Sequence, residues 1–175
     1  MVSMTPLAAD LLVLLRRDLR CFSREVELFP DDATLWRTLP GIANSSGNLA
    51  LHVAGNLRHF VGAVLGGSGY RRQRDLEFTQ REGSRAELVA LLADTEAEVE
   101  AGLRGLTSEA LEQAYPVAVG GSHPRSTQLF LLHLAAHLAF HLGQIGYLRR
   151  GLTGDPTSAG GMGLEALAGM IQESF

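Results

Sequence analysis

Leu132-His-Leu-Ala-Ala-His-Leu-Ala-Phe-His-Leu-Gly-Gln-Ile145 carries His133, His137 and His141 at four-residue steps, with Gln144 three residues after the last. An α-helix turns about 100° per residue, so a four-residue step returns to the same face with a drift of about 40°. The three imidazoles and Gln144 therefore share one stripe of an otherwise apolar helix. A buried polar group without a partner costs about 1–3 kcal/mol. A divalent ion is such a partner, and two His at i and i+4 can close on one ion. His133 and His141, eight residues apart, stand about 12 Å apart along the axis and cannot both reach it. The ligating pair is then 133/137 or 137/141. Gln144 beside His141 favours the second pair, because a polar neighbour steadies a metal-bound imidazole.

Outward from that stretch, the helix extends from about Ser126 to Arg150. The run Leu129–Leu148 has the length of a bilayer span, but three His, Gln144 and the flanking Arg125, Arg149 and Arg150 oppose that reading, and no membrane partner is expected. The net charge is −4, and all fifteen basic residues are Arg. Such a balance lacks the concentrated basic face that phosphate binding needs, so nucleic acid is not an expected partner. With no Lys, Schiff-base chemistry is excluded. Cys21 stands alone, which removes a disulfide framework and points to the cytoplasm; the short apolar run Leu11–Leu15 lacks the flanks of a signal sequence.

Three more amphipathic patterns precede this helix. Thr5-Pro6 opens the first, and Ala8, Leu12, Leu15, Leu19, Phe22, Val26 and Phe29 follow at 4-3-4-3-4-3 spacing, a bundle seam that stops before Pro30. Ser45 or Ser46 caps the second, which runs to about Leu65 and carries Asn48, His52, Asn56 and His59 on one face. Ser84 and Glu87 form a capping box for the third, whose apolar face holds Leu88, Leu91, Leu92, Val99 and Leu103. Long connections follow helix two (66–84) and helix three (105–124), the latter with a short helix from Thr107. Leu164, Leu167, Ala168 and Ile171 suggest a terminal helix. The chain reads as a single all-α domain, 1–175, built as a four-helix bundle.

A three-ligand metal site needs one more His from another helix, and His52, centred on an apolar face, is the candidate. His59 and His133 read as polar neighbours of the ion, as do Asn48 and Gln144. With helices two and four antiparallel, His59 and His133 come together about two turns from the ion. Arg58 is a candidate substrate contact. The sequence identifies no general base; Glu77 and Asp75, near the Arg-rich loop, are the carboxylates considered for it. Leu131, Leu134, Leu138, Leu142 and Ile145 line the side of helix four away from the His stripe, a surface that a second copy could cover.

These residues resemble the DinB/YfiT-like superfamily of bacterial metalloenzymes. The likeness rests on His52 in Leu-His-Val-Ala-Gly-Asn-Leu-Arg, on His137-x-x-x-His141-Leu142-Gly143-Gln144, and on the stretch from Arg72 to Phe78. Leu142 stands where the family often has Arg. The resemblance implies a four-helix bundle with His52, His137 and His141 on a divalent ion, zinc or nickel, and a homodimer. It also implies an enzyme that joins a low-molecular-weight thiol to a small electrophilic substrate. A hydrolase using bound water and a non-catalytic metal-binding bundle are the other readings.

Overall fold

The computed structural model describes residues 4–161, 163–165 and 167. Seven α-helices lie among them: α1 (Pro6–Glu27), α2 (Asp32–Leu35), α3 (Ser46–Leu57), α4 (Arg74–Thr79), α5 (Arg85–Arg104), α6 (Ser108–Glu112) and α7 (Thr127–Thr153). A π-helical turn, Arg58–Ala63, prolongs α3. The long helices α1, α3, α5 and α7 form the bundle. Of the terminal apolar positions, Ala168 and Ile171 lie outside the described residues.

Each long helix starts on a side chain that accepts from its first turn: Thr5, Ser45, Ser84 and Ser126 receive the amides of Ala8, Asn48, Glu87 and Leu129. These caps satisfy donors that the helix leaves open, typically worth about 1 kcal/mol each. The six seam residues of α1 are buried, as are Phe29 just past its end and Leu88, Leu92, Val99 and Leu103 of α5. Gly154, at φ +71°, ends α7 in the left-handed conformation that glycine adopts without strain.

Ion pairs fix the helix directions. From Arg16 to Arg20 the partner on α5 retreats from Glu100 (2.6 Å) to Glu96 (2.8 Å), so α1 and α5 are antiparallel. Arg58 meets Glu98, while the Val61 carbonyl lies where a side chain at Gly102 would stand, so α3 and α5 are parallel. The imidazole of His52 meets His137 and His141, and Phe60 meets Phe130, so α3 and α7 are antiparallel. Ion pairs in contact with solvent contribute about 0–1 kcal/mol each; burial of the seams carries the fold.

Parallel α3 and α5 oblige residues 66–84 to travel the length of the bundle. They run back along α3, and the six-residue α4 forms on the way. It is too short to show periodicity in the sequence. Asn48 Nδ2 donates to the Glu77 and Gln80 carbonyls, 2.9 Å each, and Trp36 Nε1 donates to the Gly83 carbonyl at 2.8 Å. The crossover is thereby fastened to α3 through Asn48 and, further on, to the end of α2 through Trp36.

The apolar side of α7 differs from the expectation. Leu131, Leu134, Leu138, Leu142 and Ile145 are all buried in the protomer's own core. That line faces α1 and α3 and leaves nothing for a second copy. The large exposed apolar residues of α7 are Leu129, Leu132, Phe140 and Tyr147, the last 79% exposed, on the outward face beside the His stripe. By length and composition α7 would cross a membrane, and it is here one wall of the bundle.

Candidate metal centre

His52, His137 and His141 converge on one point between α3 and α7. Their Nε2 atoms face one another, with His52 to His137 at 3.2 Å and His141 to His137 at 3.0 Å. His52 is buried, and the other two are half-buried. The two Nδ1 atoms of the outer rings are already committed. His52 Nδ1–H donates to Glu77 Oε2 at 2.9 Å, and His141 Nδ1–H donates to Gln144 Oε1 at 2.7 Å. A neutral imidazole has one N–H. Rings that donate through Nδ1 therefore present bare lone pairs at Nε2. His137 can bring at most one proton to this meeting, which leaves lone pairs opposed at hydrogen-bond distance.

Protonating the rings does not resolve the conflict. Burial pushes His137 down to about 4, and the nearby charges of His141, His52, His133 and Arg72 press the same way. Burial also lowers His141, more than the Gln144 hydrogen bond raises it. A divalent cation satisfies all three lone pairs at once. Bonds of 2.0–2.1 Å at angles of about 90–109° place neighbouring nitrogens about 2.9–3.4 Å apart, which matches the spacing of these atoms. The donor set fits a zinc-type ion.

The support behind His52 is three residues deep. Arg72 closes both oxygens of Glu77 in a fork, Nε to Oε1 and Nη2 to Oε2, each at 2.7 Å. Glu77 is 4% exposed. Burial raises its pKa, and the Arg72 and His52 hydrogen bonds together outweigh burial, so the carboxyl is held below its usual range. Room for it comes from Gly55, where a Cβ would collide with Glu77 Oε1. A glycine inside a helix costs about 1 kcal/mol relative to Ala. Here it lets a carboxylate come against the helix backbone next to His52.

The sequence profile of the DinB superfamily matches residues 14–145, about three quarters of the chain. The chain belongs to the DinB superfamily. A search of curated proteins finds no significant match. The DinB match takes in the three His, Gln144 and the whole of the crossover, and it stops at Ile145.

The other expected site residues of this DinB chain take varied places. Gln144 touches His141 directly. Asn48 touches no ligand; it completes the α3 capping box with Ser45 and holds the backbone of Glu77, so it acts on His52 at one remove. Arg58 is turned to α5, where Nε donates to Glu98 Oε1 at 2.9 Å, and its guanidinium lies over Tyr70. Of the two carboxylates considered as a base, Asp75 is exposed and Glu77 is spent on Arg72 and His52.

His59 and His133 were expected to meet. In their place two phenyl rings do, Phe60 on Phe130 at 5.1 Å, with His59 against Phe60 and His133 stacked on Phe130. The π-helical turn explains the change. It takes more residues per turn than an α-helix, so Phe60 swings toward the line of His52 while His59 moves off it. Tyr115 closes this end, its hydroxyl donating to the Phe60 carbonyl at 2.6 Å. His133, exposed, keeps its ring 6.1 Å from that of His137.

The support of His52 by Arg72, Glu77 and Gly55 joins residues on separate elements, and no local spacing in the sequence marks it. One signal was present for Gly55: a mid-helix glycine one turn from a candidate ligand.

Proposed function

We propose that this DinB-superfamily protein is a divalent-metal-dependent enzyme, with zinc or nickel held by His52, His137 and His141, acting on a small electrophilic substrate. The observation that carries this reading is the three-membered ligand set. Among the described residues no fourth His, Cys, Asp or Glu joins the cluster, and three protein ligands with a position left for substrate is the pattern of catalytic sites. A bound ion would acidify a thiol or a water and so supply a nucleophile at neutral pH. The protein's own part is orientation. Glu77 and Gln144 hold two imidazoles with Nε2 inward, and Arg72 keeps Glu77 ionised. The resemblance favours a low-molecular-weight thiol over water as the nucleophile, which makes the reaction an S-transfer. Elemental analysis of gently purified protein should give about one divalent ion per chain, with His137→Ala near zero. A screen of cellular thiols against a haloaromatic electrophile then tests the transfer: turnover that is absent with every thiol and present with water would make it a hydrolase.

The same reading places the protein in the cytoplasm, in keeping with a lone Cys21 whose thiol is pushed up by burial. The exposed stripe of Leu129, Leu132, Phe140 and Tyr147 supports a homodimer across α7, since a contiguous apolar face is a common mark of an interface. A non-catalytic dimeric bundle is the second reading that this stripe favours. Light scattering that gives a monomer at micromolar concentration would remove the dimer from both.

A further inference from the structure

Beside the metal centre lies a cleft of about 450 Å³, walled by the 39–44 loop, Leu49 of α3, and Gln144, Tyr147 and Leu148 of α7. Its size suits a small molecule. The loop is built in advance. Ile42 N–H closes a turn on the Leu39 carbonyl at 2.9 Å, Gly41 takes φ +81°, and Leu39 fills the space that a side chain at Gly151 would occupy. Ile42 and Tyr147 remain 48% and 79% exposed, so apolar surface is left open where most proteins cover it.

The walls carry no carboxylate, guanidinium or imidazole. An ionised ligand would give up its water there with nothing to replace it, a penalty of several kcal/mol on the usual scale. Two amides are the polar features, Asn44 and Gln144. Gln144 belongs to both places: Oε1 accepts from His141 Nδ1, while its amide nitrogen has no protein partner among the described residues. A ligand group that accepts from this nitrogen is thus one side chain from a metal ligand.

We propose that this cleft binds the apolar body of the substrate, an uncharged electrophile of aryl or branched-alkyl bulk, with a carbonyl or similar acceptor on the Gln144 amide N–H. The inference rests on the metalloenzyme reading and adds the substrate's charge class. A thiol co-substrate bearing carboxylates must then enter from another side of the ion.

An isosteric pair tests it: 4-phenyl-2-butanone, neutral with one acceptor, and 3-phenylpropanoate, the carboxylate of the same shape. Binding is titrated by saturation-transfer NMR, and metal content is measured on the same samples. Because a carboxylate could ligate an ion directly, the charge comparison is made on His137→Ala, or on chelator-treated wild type if that variant is unstable. The ketone should bind at least about tenfold tighter than the anion, and Ala43→Trp, which fills the cleft from an exposed loop, should weaken the ketone by about tenfold or more. Equal affinity for the two ligands overturns the proposal, as does an Ala43→Trp variant that binds like wild type. Loss of ketone binding in His137→Ala would also overturn it, by placing the ketone on the ion. Wild type that holds no metal but still binds the ketone in the cleft would sink the metalloenzyme reading alone.

Discussion

His52 and His141 both aim Nε2 at His137, yet they are held by different kinds of structure. His141 is steadied by Gln144, three residues further along the same helix and exposed to solvent. His52 is steadied by Glu77, twenty-five residues away, which is itself gripped by Arg72 and seated on Gly55. The first support is one helical turn. The second is a buried ionic cluster assembled by the crossover. A local support can be removed without disturbing the fold, whereas a buried charge left unpaired is strongly destabilising.

Loss of a ligand should have the largest effect, and it should be symmetric. His52→Ala, His137→Ala and His141→Ala are each expected to reduce metal stoichiometry from about one per chain to near zero. His137→Ala is the decisive one, since that ring meets both of the others. If His52→Ala retained full metal while His141→Ala lost it, the ion would sit on α7 alone and the comparison between the two sides would have no content.

The supports should then separate. Gly55→Ala drives a methyl into Glu77, and leaves Arg72 and the His52 N–H short of their acceptor. We expect about 2–4 kcal/mol of lost stability in denaturant melts and a 10–100-fold weaker metal affinity. Gln144→Ala should weaken metal binding by about tenfold or less and leave the melt unchanged, because the side chain is exposed. An unaltered melt for Gly55→Ala, or an equal loss for Gln144→Ala, would erase the distinction.

What could be read from the sequence follows the same division. The four bundle helices, their caps and the 137/141 pair depend on neighbours three to seven residues apart, so periodicity revealed them. Glu77 does not, since its partner is on another helix and its own helix is too short to carry a pattern. The Arg58 pairing with Glu98 has no local signal, because the two residues are forty positions apart. His59 was misplaced by a rule that assumes 3.6 residues per turn; the π-helical turn at Arg58–Ala63 breaks the rule at that point. The core face of α7, Leu131 to Ile145, reads from sequence as a surface open to a second copy because nearly every position on that helix is apolar.

Acid should act on the cluster as a whole. His137 is held at about 4 in the folded protein, below the ordinary value of 6.5. As pH falls through 6.5, the unfolded chain takes up the proton first, so the metal-free fold loses stability between about pH 6.5 and 4, and this group contributes no further change below that. Melts of chelator-treated protein should therefore fall steadily over that window, and His137→Phe should flatten the slope. Parallel slopes for the two proteins would mean that the imidazole is not buried against its neighbours.

The smallest effect is expected at His133, the imidazole that shares the stripe without sharing the site. It stands one turn before His137, with its ring stacked on Phe130 at 5.8 Å and exposed to water. No carboxylate or amide of the described residues fixes either of its nitrogens as Glu77 and Gln144 fix those of His52 and His141. To reach the ion it would have to displace His141, which Gln144 holds in place, and give up the stack on Phe130. His133→Ala should therefore leave metal stoichiometry and affinity unchanged within about threefold, and stability within about 0.5 kcal/mol, as for other exposed positions. The informative variant is the double one. In Gln144→Ala the His141 ring is free to turn, so His133→Ala added to it should make no further difference if 137/141 is the true pair. A further loss of metal in the double variant, beyond the sum of the two single effects, would show that His133 takes over the ion when His141 is released, and the two ends of the stripe would then be alternatives.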